Sequence, residues 1–165
     1  MTVKLMIGKS MLLAAAALAL SAFVAAAQPK KDIGYDPHAN AFEQLDAAVA
    51  KADAEDKLLL VISGGDWCKW CHYLAAFLDR ETALDAALHE VFVVQKVYVG
   101  DENMNKEFFA RLPKAAGAPH FWVLSQKGEL LVSQDTLPLE DGDKSYDRAK
   151  FAAFIEQWRN GGAPR

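Results

Sequence analysis

The chain has 165 residues, room for one domain of ordinary size beside a targeting segment and too little for two independent cores. Hydrophobic residues make up 52% and charged residues 24%, which excludes intrinsic disorder, collagen-like repeats and a Pro-rich linker protein. The formal net charge of −4 argues against a nucleic-acid partner, and the two cysteines, Cys68 and Cys71, exclude a disulfide-stapled scaffold or any four-cysteine metal site.

Residues 1–27 have the layout of a secretory signal: Lys4 and Lys9 in a basic start, an apolar stretch from Met11 to Ala22, and Ala25-Ala26-Ala27 before Gln28. Cleavage after Ala27 is expected, placing the domain in the bacterial periplasm. The alternative is a retained anchor, because the apolar run falls a little short of the roughly 20 residues that span a bilayer. Residues 28–39, with Pro29 and Pro37, read as an extended lead-in to a domain over 40–165.

Asn40 and Glu43 match a capping box, and Phe42, Leu45, Val49 and Ala52 recur at helical spacing, so a helix is expected to start there and end near Asp53 to Asp56. Leu58-Leu59-Leu60-Val61-Ile62 reads as a strand buried on both faces, stopped by Ser63-Gly64-Gly65-Asp66. After the cysteines, Tyr73 to Arg80 is helix-like, and Thr82 with Asp85 offers a second cap ahead of Leu84 to His89. Val91 to Val99 is the next strand. A helix is expected from Asn103 to Leu112, with Pro113 ending it. Phe121 to Leu124 and Leu130 to Val132 form a hairpin about a turn at Gln126 to Glu129, Leu139 to Asp143 is a surface loop, and a last helix runs from about Asp147 to Trp158. The order describes an α/β sandwich with a mixed sheet and helices on both sides.

The chemistry lies at Trp67-Cys68-Lys69-Trp70-Cys71-His72. A cysteine placed where a strand gives way to a helix meets unpaired amides and the helix macrodipole, which favour its thiolate, and Lys69 adds a cation beside it. Cys68 is therefore the expected nucleophile. Cys71, one turn further in and expected to be the more covered, can attack a mixed disulfide on Cys68, releasing the substrate thiol and leaving a Cys68–Cys71 disulfide.

Gly65-Asp66-Trp67-Cys68-Lys69-Trp70-Cys71, followed by Gly117-Ala118-Pro119 at the head of an apolar strand and a Gly-turn hairpin, resembles the thioredoxin-like superfamily over most of residues 41–160. The resemblance is to exported members with an Asp-Trp-Cys-x-x-Cys start, similar to the soluble C-terminal domain of transmembrane disulfide-reductant conductors. It implies a three-layer sandwich with a sheet of about four strands and a cis Pro119 against the disulfide. It also implies backbone hydrogen bonds from Ala118 to a substrate chain, with Trp67 covering the cysteines. The activity implied is thiol–disulfide exchange with protein or small thiol substrates, by a monomer without a bound cofactor; family membership does not fix the direction of electron flow, and the reductive one is expected. A redox partner must reset the pair, a membrane reductant conductor if the reductive reading holds. Two departures stand out: Ile62 occupies the place of a buried acid that serves the second cysteine in many thioredoxins, and Lys69-Trp70 replaces the usual Gly-Pro.

Three other readings remain open from the residues. Cys68-Lys69-Trp70-Cys71-His72 satisfies the attachment motif of c-type haem. The two cysteines with His72 or His120 could bind copper or zinc, although His120 reads better as a packed strand residue. A redox-inactive binding domain could keep the fold only, with Trp67, Trp70 and Trp122 serving apolar contacts, Trp122 rather in the core. His38 and His89 read as surface residues, and Asp141 and Asp143 as a solvated loop.

Overall fold

The computed structural model describes residues 31–159; the expected signal over 1–27, with its cleavage point, lies outside the described residues, as do 28–30 and 160–165. Chain order is α1 (Ala41–Glu55), β1 (Leu58–Gly64), α2 (Lys69–Arg80), α3 (Thr82–Val91), β2 (Phe92–Tyr98), α4 (Lys106–Phe109), β3 (His120–Leu124), β4 (Leu130–Asp135), a 3₁₀ turn at Leu137–Leu139, and α5 (Arg148–Arg159). The four strands form one sheet in the order β2-β1-β3-β4. β1 runs parallel to β2 and antiparallel to β3, and β3 antiparallel to β4, so the expected mixed sheet with helices on both faces is present.

Strand alternation divides the core in two. Leu60, Ile62, Phe92, Phe121 and Val123 face one way, onto α2, α3 and α5, where Leu74, Phe77, Leu88, Phe151, Phe154, Ile155 and Trp158 close the layer. Leu59, Val61, Val93, Val97, Trp122 and Leu124 face the other way, onto Ala48 and Ala52 of α1 and Phe108 of α4. With β1 flanked by partners on both edges and both faces, its unbroken apolar run is explained.

Local signals account for most boundaries. The Asn40 side chain accepts from the amides of Phe42 and Glu43, and Glu43 in turn accepts from the Asn40 side-chain amide at 3.0 Å, a variant of the capping box. Asp56 closes α1 in a left-handed conformation. Three expectations need correction. Thr82 is the first residue of α3 and caps nothing, because α3 follows α2 with only Glu81 between them. The helix expected over Asn103 to Leu112 is reduced to four residues: the Asn103 side chain accepts from the Asn105 amide and donates to the Pro37 carbonyl, and Asn105 is left-handed, so side-chain bonding to backbone competes with the helix. Leu139, assigned to a surface loop, is buried against α5 by the 3₁₀ turn.

Candidate redox site

β1 ends at Gly64, and α2 begins at Lys69, so the intervening loop delivers Cys68 to the N-cap of α2. Its Sγ accepts from the Cys71 amide at 3.1 Å, one of the donors a helix start leaves unpaired. Cys68 and Cys71 are joined as a disulfide, their Cα atoms 5.2 Å apart. On opening of the disulfide, a thiolate at Cys68 occupies the position that helix amides and macrodipole stabilise. Lys69, the first residue of α2, is exposed beside it.

Both cysteines are only 3% exposed. The expected difference in covering is therefore absent, and the distinction between them rests on place. Cys68 sits at the helix cap with its Sγ 3.4 Å from the Ala118 carbonyl oxygen. Cys71 lies a turn inward in α2, and both cysteines share a cluster with Ile33, Tyr35 and Tyr98. The Ala118–Pro119 bond is cis, as the resemblance implies, and it brings this loop to the disulfide from the head of β3.

Trp67 stands 55% exposed with its indole N–H donating to the Val99 carbonyl at 2.7 Å. Two glycines make room for it. A Cβ on Gly65 or on Gly100 would lie 2.6 Å from the Trp67 Nε1, closer than side chains tolerate, so the backbone itself forms the bed of the indole. Trp70, half-buried, stacks edge-on against Tyr73 and Tyr146 and so braces the loop from the α5 side. Between Trp67 and the segment before Pro119 runs a groove of about 980 Å³, lined by Tyr98, Phe109, Leu112, Ala118 and Trp122 and edged by Asp101, Glu102, Lys106 and Lys114. It offers an apolar floor next to the disulfide, a feature sequence reasoning did not foresee.

The other candidates are placed elsewhere or otherwise engaged. The His72 Nε2 is hydrogen-bonded to the Asp66 carbonyl at 2.9 Å. His120 is buried in β3, its Nε2 at 2.8 Å from Ser133 Oγ and its ring against Trp122. Burial holds its imidazole below the ordinary value, with Asp135 acting in the opposite direction. Among the described residues no three His, Cys, Asp or Glu side chains converge as a metal site would require. His38 and His89 are exposed and Trp122 is core.

Ile62, where the resemblance led to notice of a missing acid, is buried among apolar side chains, with Lys96 beside it in register. The Lys96 ammonium is turned to the lead-in: its Nζ donates to the Ile33 carbonyl at 2.6 Å and lies 5.7 Å from the centre of the Tyr35 ring. Ile33 and Tyr35 are buried beside the disulfide, so part of the segment read as a lead-in belongs to the site.

A Thioredoxin-like family model matches residues 40–125. Among solved structures, a disulphide isomerase from Xylella fastidiosa Temecula1 is similar at 28% identity and a TM-score of 0.62, covering 76% of this chain and 96% of its own. A redox protein from Chlamydomonas reinhardtii matches at 26% identity and a TM-score of 0.41 over 56% of this chain and 28% of its own. No curated protein matches in sequence.

Proposed function

The chain belongs to the thioredoxin-like family, and on that premise we propose that it is an exported thiol–disulfide oxidoreductase that works in the reducing direction on protein or small thiol substrates. One observation carries the chemistry: Cys68 caps α2 while bonded to Cys71, directly against the Ala118 carbonyl. The likeness to a disulphide isomerase at 28% identity supports the same chemistry. In the reducing cycle the Cys68 thiolate attacks a substrate disulfide, one substrate sulfur leaves as a thiolate, and Cys71 then attacks Cys68 to release the other. The pair ends oxidised and the substrate reduced, so an external reductant must restore the dithiol.

The signal-like segment over 1–27 supports export to the periplasm, where a membrane reductant conductor is the partner suited to supply electrons. The domain acts as a monomer and draws on no bound cofactor, since both half-reactions use its own sulfurs. The groove beside Trp67 fits an apolar side chain of a protein client. The test is the equilibrium potential of the Cys68–Cys71 pair against glutathione, together with reduction of insulin by the dithiol form. A potential at the reducing end and turnover of insulin are expected. A potential well above the glutathione range overturns the reductive direction, and a dithiol form that leaves insulin intact overturns the enzyme.

A further inference from the structure

The second half of that cycle requires Cys71 to carry a negative charge in a buried place. When an incoming thiolate attacks Cys68 Sγ, the Cys68–Cys71 bond breaks and its electron pair departs on Cys71. In the reverse sense, Cys71 must already be a thiolate to attack a mixed disulfide on Cys68 and expel the substrate thiolate. A sulfur anion enclosed among apolar groups needs a donor, and Ile62 supplies none.

A donor is at hand from outside the sheet. Tyr35 packs against Cys71 and Tyr98, and Gly64 separates it from the sulfur: the point where a Gly64 Cβ would stand is 2.5 Å from Cys71 Sγ and 2.7 Å from the Tyr35 hydroxyl oxygen. The hydroxyl and the sulfur therefore border the same space, which is open because residue 64 has no side chain, and lie within about 5.2 Å of each other. Among the described residues that hydroxyl makes one hydrogen bond, a long one of 3.5 Å to the Ser63 carbonyl, leaving its proton free to turn. Lys96 fastens the segment from the other side through the Ile33 carbonyl.

We propose that Tyr35 donates a hydrogen bond to the Cys71 thiolate, stabilising it in a site where Ile62 stands in place of the buried acid, while the Cys71 proton leaves to solvent. No proton passes between the two; the phenol stays neutral and the charge stays on sulfur. Burial pushes the Tyr35 hydroxyl far above the ordinary phenol range, with Tyr146 and Asp66 acting in the same direction, so it remains a donor throughout the working range. The other titratable groups bearing on this place are Tyr98 and Lys96 from β2, and burial lowers the Lys96 ammonium, with Asp85, Asp32 and Asp79 opposing. The proposal rests on the pair being a working dithiol.

The reagent 5,5′-dithiobis(2-nitrobenzoate) separates the two questions. With the reagent limited to one molecule per chain, reduced protein releases one coloured thiolate when Cys68 attacks and a second when Cys71 resolves the mixed disulfide, so two releases per reagent molecule from the unaltered chain establish the dithiol. In Tyr35→Phe the first release is expected unchanged, while the pH midpoint of the second rises by about one unit, a roughly tenfold slower second release at neutral pH. A 3-fluorotyrosine at position 35, a stronger donor of the same shape, is expected to move the midpoint down, which a merely structural ring would not do. Second-phase pH profiles that superimpose for the unaltered chain and both substitutions overturn the role of Tyr35. A single release from the unaltered chain instead overturns the dithiol reading on which it rests.

Discussion

The two cysteines are equally buried yet occupy unlike places, and their division of labour follows from the place alone. Cys68 has the helix amides and Cys71 does not, so Cys71→Ser is expected to trap covalent mixed disulfides with clients through Cys68, while Cys68→Ser traps few. Non-reducing gels followed by mass spectrometry of the linked peptides read the result, and equal trapping by both would reverse or erase the assignment. Lys69, exposed and next to Cys68 in the chain, is expected to act on the same thiolate. Lys69→Glu is expected to raise the Cys68 pKa by about half a unit, the scale of one helix-end charge at the surface. Absorbance of the thiolate during a pH titration measures it, and an unchanged midpoint removes Lys69 from the chemistry.

At the scale of elements, the bed of Trp67 is built by loops after β1 and β2 that approach closely only because Gly65 and Gly100 lack side chains. A Cβ at Gly100 would stand 2.5 Å from the Tyr98 hydroxyl as well as 2.6 Å from the indole. Gly100→Ala is expected to break the Trp67–Val99 hydrogen bond, red-shift the tryptophan emission and cost about 1–3 kcal/mol in chemical denaturation, the range for overpacking. The sequence made most elements legible where a local signal and a tertiary demand agree. Asn40 caps what Ala48 and Ala52 bury, and Phe151, Phe154, Ile155 and Trp158 form one face of α5 that the sheet covers. It misled at Asn103 to Leu112, where apolar spacing suggests a helix but two asparagines spend their side chains on the backbone of distant residues. In the site, the cysteine pair and Pro119 were readable from spacing and resemblance. Tyr35 was not, since its contacts lie far along the chain and the segment was read as an extended lead-in; the alternation of apolar Ile33 and Tyr35 with polar Asp32 and Asp36 is the signal that could have found it.

For the molecule as a whole, His120 couples stability to acidity. Its imidazole is held below the ordinary value by burial, so between that value, about 6.5, and the lower folded one the unfolded chain binds a proton that the native chain refuses. The stability contribution is complete above about pH 6.5 and is lost as pH falls through that window. His120→Gln, which retains a donor for Ser133 and does not titrate, is expected to show a smaller fall in melting temperature between about pH 7.5 and pH 5.5 than the unaltered chain. An equal fall would place the acid sensitivity elsewhere. The pieces that meet at the disulfide come from three distant stretches, Tyr35, Cys68 with Cys71, and Ala118 with Pro119. In a chain that emerges from its amino end, the thiols appear long before Ala118 and Pro119, which lie just ahead of β3. Cys68 has its helix amides as soon as α2 forms, but the Ala118 carbonyl beside its sulfur comes only with the later segment, so the edge that meets a substrate chain is completed late in synthesis, and a product truncated before Gly117 would carry both cysteines without that edge.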